Sequence, residues 1–178
     1  DSLSALPELL NAPKGRYGDL GTGAGFPGIP LAIATGRQTT LIDPRQKKIT
    51  ILEDVISRLE LSNYIETYAG RAELLAKHQS GRYAALTARA LAKLPVLMEL
   101  ASPLLKNGGI LICYKANLED SELVHARRVQ NITGMTMSGM REFLLGDTYT
   151  RKIITFEKTA SSTIKLPRRE GEAQRNPL

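Results

Sequence analysis

The stretch Asp19-Leu-Gly-Thr-Gly-Ala-Gly-Phe-Pro-Gly28 places four glycines within eight residues. A run of this kind cannot extend a strand or fill a helix. It forces a tight turn, lets backbone approach a ligand closely, and aims the N–H groups of a following helix at it. The surrounding chain alternates short strand-like runs with longer amphipathic ones, the pattern of βαβ units around a parallel sheet. Tyr17 to Leu20 reads as the first strand, Pro27 to Thr35 as a helix stopped by Gly36, and Thr39 to Asp43 as the second strand. Pro44 opens a helix whose Leu52, Val55, Ile56 and Leu59 recur at i, i+3, i+4, i+7. Asn63 to Tyr68 is the third strand, Arg71 to His78 a short helix, and Tyr83 to Thr87 the fourth strand. Ala90 to Lys106 reads as helix in two pieces, interrupted by Pro95 and Pro103. Ile110 to Tyr114 has the continuous apolar character of a strand buried on both faces, and Leu118 to Ile132 forms a looser helix. Met135 to Leu145 and Tyr149 to Lys158 are two strands joined by a turn at Gly146-Asp147, hence antiparallel. The fold class is therefore α/β, a doubly wound, mostly parallel sheet ending in an antiparallel hairpin. Residues 1–158 form one domain, and residues 159–178, with Lys165, Arg168, Arg169 and Arg175, a basic loop or extended arm.

Composition narrows the function classes. The 178 residues carry 24 Lys+Arg against 18 Asp+Glu, a formal charge of +6, so a polyanionic partner suits the chain. With no Trp and 5% aromatics, a broad base-stacking platform does not. No apolar run reaches bilayer-spanning length, and the N-terminus lacks a signal-peptide pattern. The single Cys113, inside Ile110-Leu-Ile-Cys-Tyr114, is a core residue and leaves no disulfide framework or Cys-rich metal site. His78 and His125 lie in polar helical stretches and read as surface residues. The expectation is a cytoplasmic monomer with no membrane and no metal.

Two registers fit the glycine turn. Gly23-x-Gly25-x-x-Gly28 matches a dinucleotide fingerprint, with Asp43 placed to hold a ribose hydroxyl. Gly21-x-Gly23-x-Gly25, preceded by Asp19, matches an S-adenosylmethionine (AdoMet) loop with the same use of Asp43. Three observations favour AdoMet. Phe26-Pro27 puts a bulky ring where close packing is expected in the first register, and Glu73 follows strand three where an adenine would rest. No Tyr stands four residues before a Lys, and no general acid for hydride chemistry is evident. An NAD-type oxidoreductase and a non-catalytic, nucleic-acid-binding assembly factor stand as the alternatives.

The stretch Asp19 to Ala32 resembles the motif of the 16S rRNA guanine-N7 methyltransferases (RsmG, also called GidB). The resemblance continues through Asp43 with Lys47-Lys48, Gly70-Arg-Ala-Glu73, Thr87-Ala-Arg-Ala90, Gly108-Gly109, Lys115, Arg151, Pro167-Arg168-Arg169-x-Gly171 and Pro177-Leu178. The family usually has Lys-Arg at 47–48 and Lys-Gly at 115–116, where this chain has Lys-Lys and Lys-Ala. It also carries a helical segment before its Asp-Ser-Leu, which here is Asp1-Ser2-Leu3, so the chain is expected to lack that segment. The resemblance implies a Rossmann-like class I AdoMet-dependent fold and methyl transfer to N7 of guanine 527 of 16S rRNA. The implied partner is that RNA or the small ribosomal subunit.

Attack by N7 needs no general base, because its lone pair carries no proton; alignment and electrostatics suffice. The exocyclic-amine motif expected after strand four in other methyltransferases is replaced by Thr87-Ala-Arg-Ala90, and a loop cysteine nucleophile is missing. By resemblance, Gly21, Phe26, Ala72, Glu73 and Arg89 are cofactor-binding positions, joined by Gly23, Gly25 and Asp43 from the turn. Phe26 lines the pocket or plugs the space beneath the turn; Arg89 meets cofactor and substrate or pairs with Asp19 or Asp43. Arg89 and Lys115 are candidates for positioning the substrate. Arg45, Lys47 and Lys48 crowd a helix start, where the macrodipole disfavours cations, so they face either a phosphate or solvent. Lys115, Arg151, Arg168 and Arg169 are further candidate RNA contacts.

Overall fold

A computed structural model describes residues 1–146 and 148–178. The turn expected at Gly146-Asp147 includes Asp147, which lies outside the described residues. The elements in chain order are α1 (Leu6–Asn11), β1 (Arg16–Leu20), α2 (Gly28–Thr35), β2 (Thr39–Asp43), α3 (Gln46–Arg58), β3 (Ile65–Ala69) and α4 (Ala72–His78). They continue with β4 (Tyr83–Arg89), α5 (Leu94–Ala101), β5 (Leu105–Lys115), α6 (Asp120–Thr133), β6 (Met135–Leu145), β7 (Tyr149–Lys158) and α7 (Glu172–Arg175). The sheet order is β3-β2-β1-β4-β5-β7-β6. The first five strands run parallel, and β7 inserts antiparallel between β5 and β6. The order reverses between β1 and β4, which opens a crevice at the carboxyl ends of those strands.

Strand alternation sorts the core onto two faces. Leu86, Ala88, Leu111 and Cys113 face α4, α5 and α6, whereas Ala85, Ile112 and Tyr114 face the N-terminal segment and α2. Cys113 is fully buried and burial pushes its thiol up to about 12, so it is a packing residue. Among the described residues no helix is long and apolar enough to cross a membrane.

Three expectations change, and one stretch without an assignment gains structure. The helix expected over Ala90 to Lys106 is confined to Leu94–Ala101. Pro95 lies in its first turn, where proline lacks no needed N–H, and Pro103 follows its end, so neither interrupts it; β5 already begins at Leu105. Next, a 3-10 turn at Ser2–Ala5 and α1 precede β1, and their Ala5 and Leu9 are fully buried. His125 is half-buried rather than solvated, its Nε2 2.5 Å from the Leu178 carbonyl oxygen.

The C-terminal segment is likewise no extended arm. It folds back on α5 because α5 buries a carboxylate: Glu99 is 3% exposed and needs a cation. Arg168 supplies one through two parallel 2.6 Å hydrogen bonds. Ala173 is buried and the Gly171 N–H donates to Glu73, completing the attachment.

Removing Arg168 strands Glu99 in a largely apolar site. Arg168→Ala is expected to cost about 3 kcal/mol. The thermal midpoint falls by at least about 5 °C, read by calorimetry, whereas a change within about 1 °C contradicts the role assigned to this pair.

Candidate active site

The glycine turn is built on one buried carboxylate. Asp19, at the end of β1 and fully buried, accepts the Gly28 N–H at 3.0 Å and the Thr87 hydroxyl at 2.6 Å. The Tyr17 hydroxyl lies 2.6 Å from Thr87 Oγ1, so donors converge in series on the acid. Gly28 is required for this approach: a Cβ there would lie 2.8 Å from Asp19 Oδ2 and collide with Leu41. Burial raises the Asp19 carboxyl to about 6, opposed most by the Thr87 hydroxyl. Since the folded state binds this proton more tightly than the unfolded chain, Asp19's contribution to stability declines as pH rises from 3.8 to about 6.

Gly21, Gly23 and Gly25 all adopt left-handed φ (+68°, +63° and +89°), a conformation that other residues take at a cost. The turn is pinned at both sides. The Thr22 N–H donates to the Ile42 carbonyl at 3.0 Å, and the Gly23 N–H donates to Asp43 Oδ2 at 3.1 Å. The other oxygen of Asp43 accepts the Arg45 N–H at 2.9 Å. Asp43 thus ties the turn to the start of α3, with further lone pairs available to a ligand. Phe26 is 49% exposed, which excludes the plug beneath the turn. Lys48 is half-buried and extends toward Gly23, its Nζ 3.6 Å from where a Cβ would stand; Lys47 is exposed.

Gly21, Ile42, Ala72, Glu73, Leu91 and Gln174 line a narrow slot beside the turn. Glu73 is buried and its Oε1 accepts the Gly171 N–H at 2.8 Å, so the C-terminal segment forms one wall. Across the end of β4 lies a wider cleft of about 410 Å³, lined by Asp1, Arg89, Tyr114, Lys115, Arg151 and Lys152 together with Ala90 and Ala116. Ala90 holds a left-handed φ of +52°, the kind of local strain that concentrates at functional sites.

The structure therefore brings together Gly21, Ala72 and Glu73 in one cavity and Arg89, Lys115 and Arg151 in the next. Arg89 pairs with neither Asp19 nor Asp43; its Nη1 donates to Asp1 at 2.8 Å. Lys115 is held 2.6 Å from Glu122, whose same oxygen accepts the Leu94 N–H, and also donates to the Ala92 carbonyl. Arg168 is committed to Glu99 and Arg169 is exposed. Sequence reasoning missed Asp1, Tyr114 and Lys152. The β5–β7 register, Tyr114 opposite Ile153 and Lys115 opposite Lys152, brings the latter two to the cleft, and the docked N-terminal segment, held by Tyr114 at the Ser2 carbonyl, brings Asp1.

The donor set fits AdoMet. The turn offers bare backbone, Asp43 and Glu73 offer carboxylates to a cationic nucleoside derivative, and Ile42 and Leu91 offer apolar walls to a planar base. Fold and site together define a Rossmann-like class I AdoMet-dependent methyltransferase. Solved structures of similar shape include geranyl diphosphate C-methyltransferase from Streptomyces coelicolor A3(2) (TM-score 0.67, 10% identity, 88% of this chain and 78% of that one). The [4+2]-cyclase SpnF aligns equally well (TM-score 0.67, 15% identity, 85% of this chain and 78% of that one), so shape at this identity speaks for the fold alone.

The sequence comparison is more specific. The family model GidB, rRNA small subunit methyltransferase G, matches residues 1–154, and the chain belongs to that family. It is 38% identical over 175 residues to the ribosomal RNA small subunit methyltransferase G of Desulfitobacterium hafniense, covering 96% of this chain and 73% of that protein. It is 42% identical over 167 residues to the protein of the same name from Deinococcus radiodurans, covering 90% of this chain and 64% of that protein.

Gly23→Val puts a β-branched residue at φ +63° and strains the backbone that aims the residue-23 N–H at Asp43. AdoMet at 100 times its dissociation constant stabilises the wild type by about 2.7 kcal/mol, or about 5–10 °C in a thermal-shift assay. The variant is expected to show no such shift; an undiminished one contradicts the assigned turn.

Proposed function

We propose that this chain methylates N7 of an extruded guanine in the small-subunit rRNA, at the position equivalent to 527 of 16S rRNA. The observation that carries this reading is a cation-lined cleft set beside the glycine-turn slot at the end of β4, where Ala90 lines the cleft and the next residue, Leu91, lines the slot. AdoMet, held by the glycine turn, Asp43 and Glu73, would supply an electrophilic sulfonium methyl to the N7 lone pair, with sulfur keeping the S–C electron pair and the base taking the positive charge.

The chain's own residues align and exclude. Gly21, Gly23 and Gly25 let the backbone approach the methionine portion, Phe26 covers that end, Asp43 meets the ribose, and Ala72 and Glu73 border the adenine. Arg89, at the end of β4, lines the cleft and, with Arg151 and Lys152, draws the phosphates flanking the target into it. Lys115 is already neutralised by Glu122; its part is to hold the Ala92 carbonyl, and with it the β4–α5 connection, in place. Lys47, Lys48 and Arg169 offer outlying phosphate contacts. No side chain is asked to remove a proton, which agrees with the cleft's lack of a histidine.

The test is transfer of labelled methyl from AdoMet to small ribosomal subunits lacking the modification, with the labelled base mapped. Label is expected at guanine N7, with kcat/KM reduced about a hundredfold in a folded Arg89→Ala variant. No label despite AdoMet binding would overturn the reading in favour of an assembly factor.

A further inference from the structure

One residue in the cleft has the wrong sign for an RNA site. Of the described side chains lining it, Asp1 alone is a carboxylate, set among Arg89, Lys115, Arg151 and Lys152. A negative charge there repels phosphate and weakens the electrostatic part of RNA binding. It is also firmly placed: the Asp1 carbonyl accepts the Ser4 hydroxyl at 2.6 Å, Tyr114 donates to the Ser2 carbonyl at 2.6 Å, and Arg141 grips Glu8 at 2.8 Å. Its Oδ2 takes one hydrogen bond from Arg89, while Oδ1 lies 3.7 Å from the Arg151 Nε, beyond hydrogen-bond reach. The side chain is 32% exposed, so lone pairs on both oxygens remain for a ligand.

Resting on the methyltransferase reading above, we propose that Asp1 selects guanine by accepting its N1–H and N2–H. Flipped bases are read along their Watson–Crick edge. Guanine alone presents two adjacent donors there, the complement of one carboxylate; adenine, cytosine and uracil each mix donor with acceptor. N7 lies across the ring system from that edge and stays free to react. As the methyl arrives, positive charge on the ring makes N1–H a stronger donor. The contact with Asp1 therefore tightens in the transition state, the condition for accelerating the chemistry and not binding alone.

The test replaces the mapped target guanosine by inosine, which keeps N7, O6 and N1–H but lacks the N2 amino group. The full chain and its Asp1→Asn variant are assayed on subunits carrying either nucleotide. The wild type is expected to favour guanosine by about ten- to a hundredfold in kcat/KM, the scale of one hydrogen bond to a charged acceptor. In Asp1→Asn, with its AdoMet-induced thermal shift retained, that ratio is expected to shrink to within about threefold. If the variant slows both substrates equally and the ratio survives, Asp1 merely orients Arg89 and the proposal is overturned. A wild type indifferent to inosine overturns it as well. Absence of transfer to the guanosine substrate by the wild type is a different failure, that of the methyltransferase reading itself.

Discussion

The buried Asp19 carboxylate is the joint between sheet and site. Its two oxygens bind elements from opposite sides of the switch point: the Gly28 N–H at the start of α2 and the Thr87 hydroxyl on β4. An acid in that position complements the positive end of α2, and the helix start in turn fixes where the glycine turn ends. Asp43 repeats the device one strand away, tying Gly23 to the start of α3. The glycine turn is thus clamped between two acids at the ends of β1 and β2. Its glycines supply the left-handed backbone that such a short span requires.

Both ends of the chain close on the same edge of the sheet. The N-terminal segment sets Asp1 against Arg89, and the C-terminal segment sets Gly171 against Glu73. Each contact joins residues far apart in sequence, so the walls of both cavities form only when the termini dock. In the cleft, most of the positive charge is already partnered: Arg89 with Asp1, Lys115 with Glu122, Lys152 with Glu142. Such pairing keeps a cationic surface folded without a bound polyanion, and leaves Arg151, stacked 5.5 Å from the Tyr149 ring, as the less encumbered arginine.

What could be read beforehand follows the range of the interaction involved. The glycine turn, the ends of β2, β6 and β7, and the stop of α2 at Gly36 are matters of local conformation and periodicity, and they match closely. The extent of α5 went astray because a proline in a first turn was read as an interruption. The fate of the tail rested on Glu99, a carboxylate in an otherwise apolar helix; its need for a cation was legible, though its partner 69 residues away was not. The partner of Arg89, 88 residues away, was hidden for the same reason, whereas the partner of Lys115 is close in sequence and meets it only because α6 turns back beside the end of β5. Charge alone marks a basic residue as a phosphate contact, and only the folded chain shows which acid has already claimed it.

The proposed cofactor site depends on Asp19 holding the glycine turn in shape. The most direct measurement is calorimetric titration of AdoMet into the wild type and into an Asp19→Ala variant that still unfolds cooperatively. Loss of the Gly28 and Thr87 tethers predicts a dissociation constant raised at least about tenfold, the effect of losing a charged hydrogen bond. An affinity unchanged within about twofold would show that the turn keeps its shape without the acid, and would contradict the account.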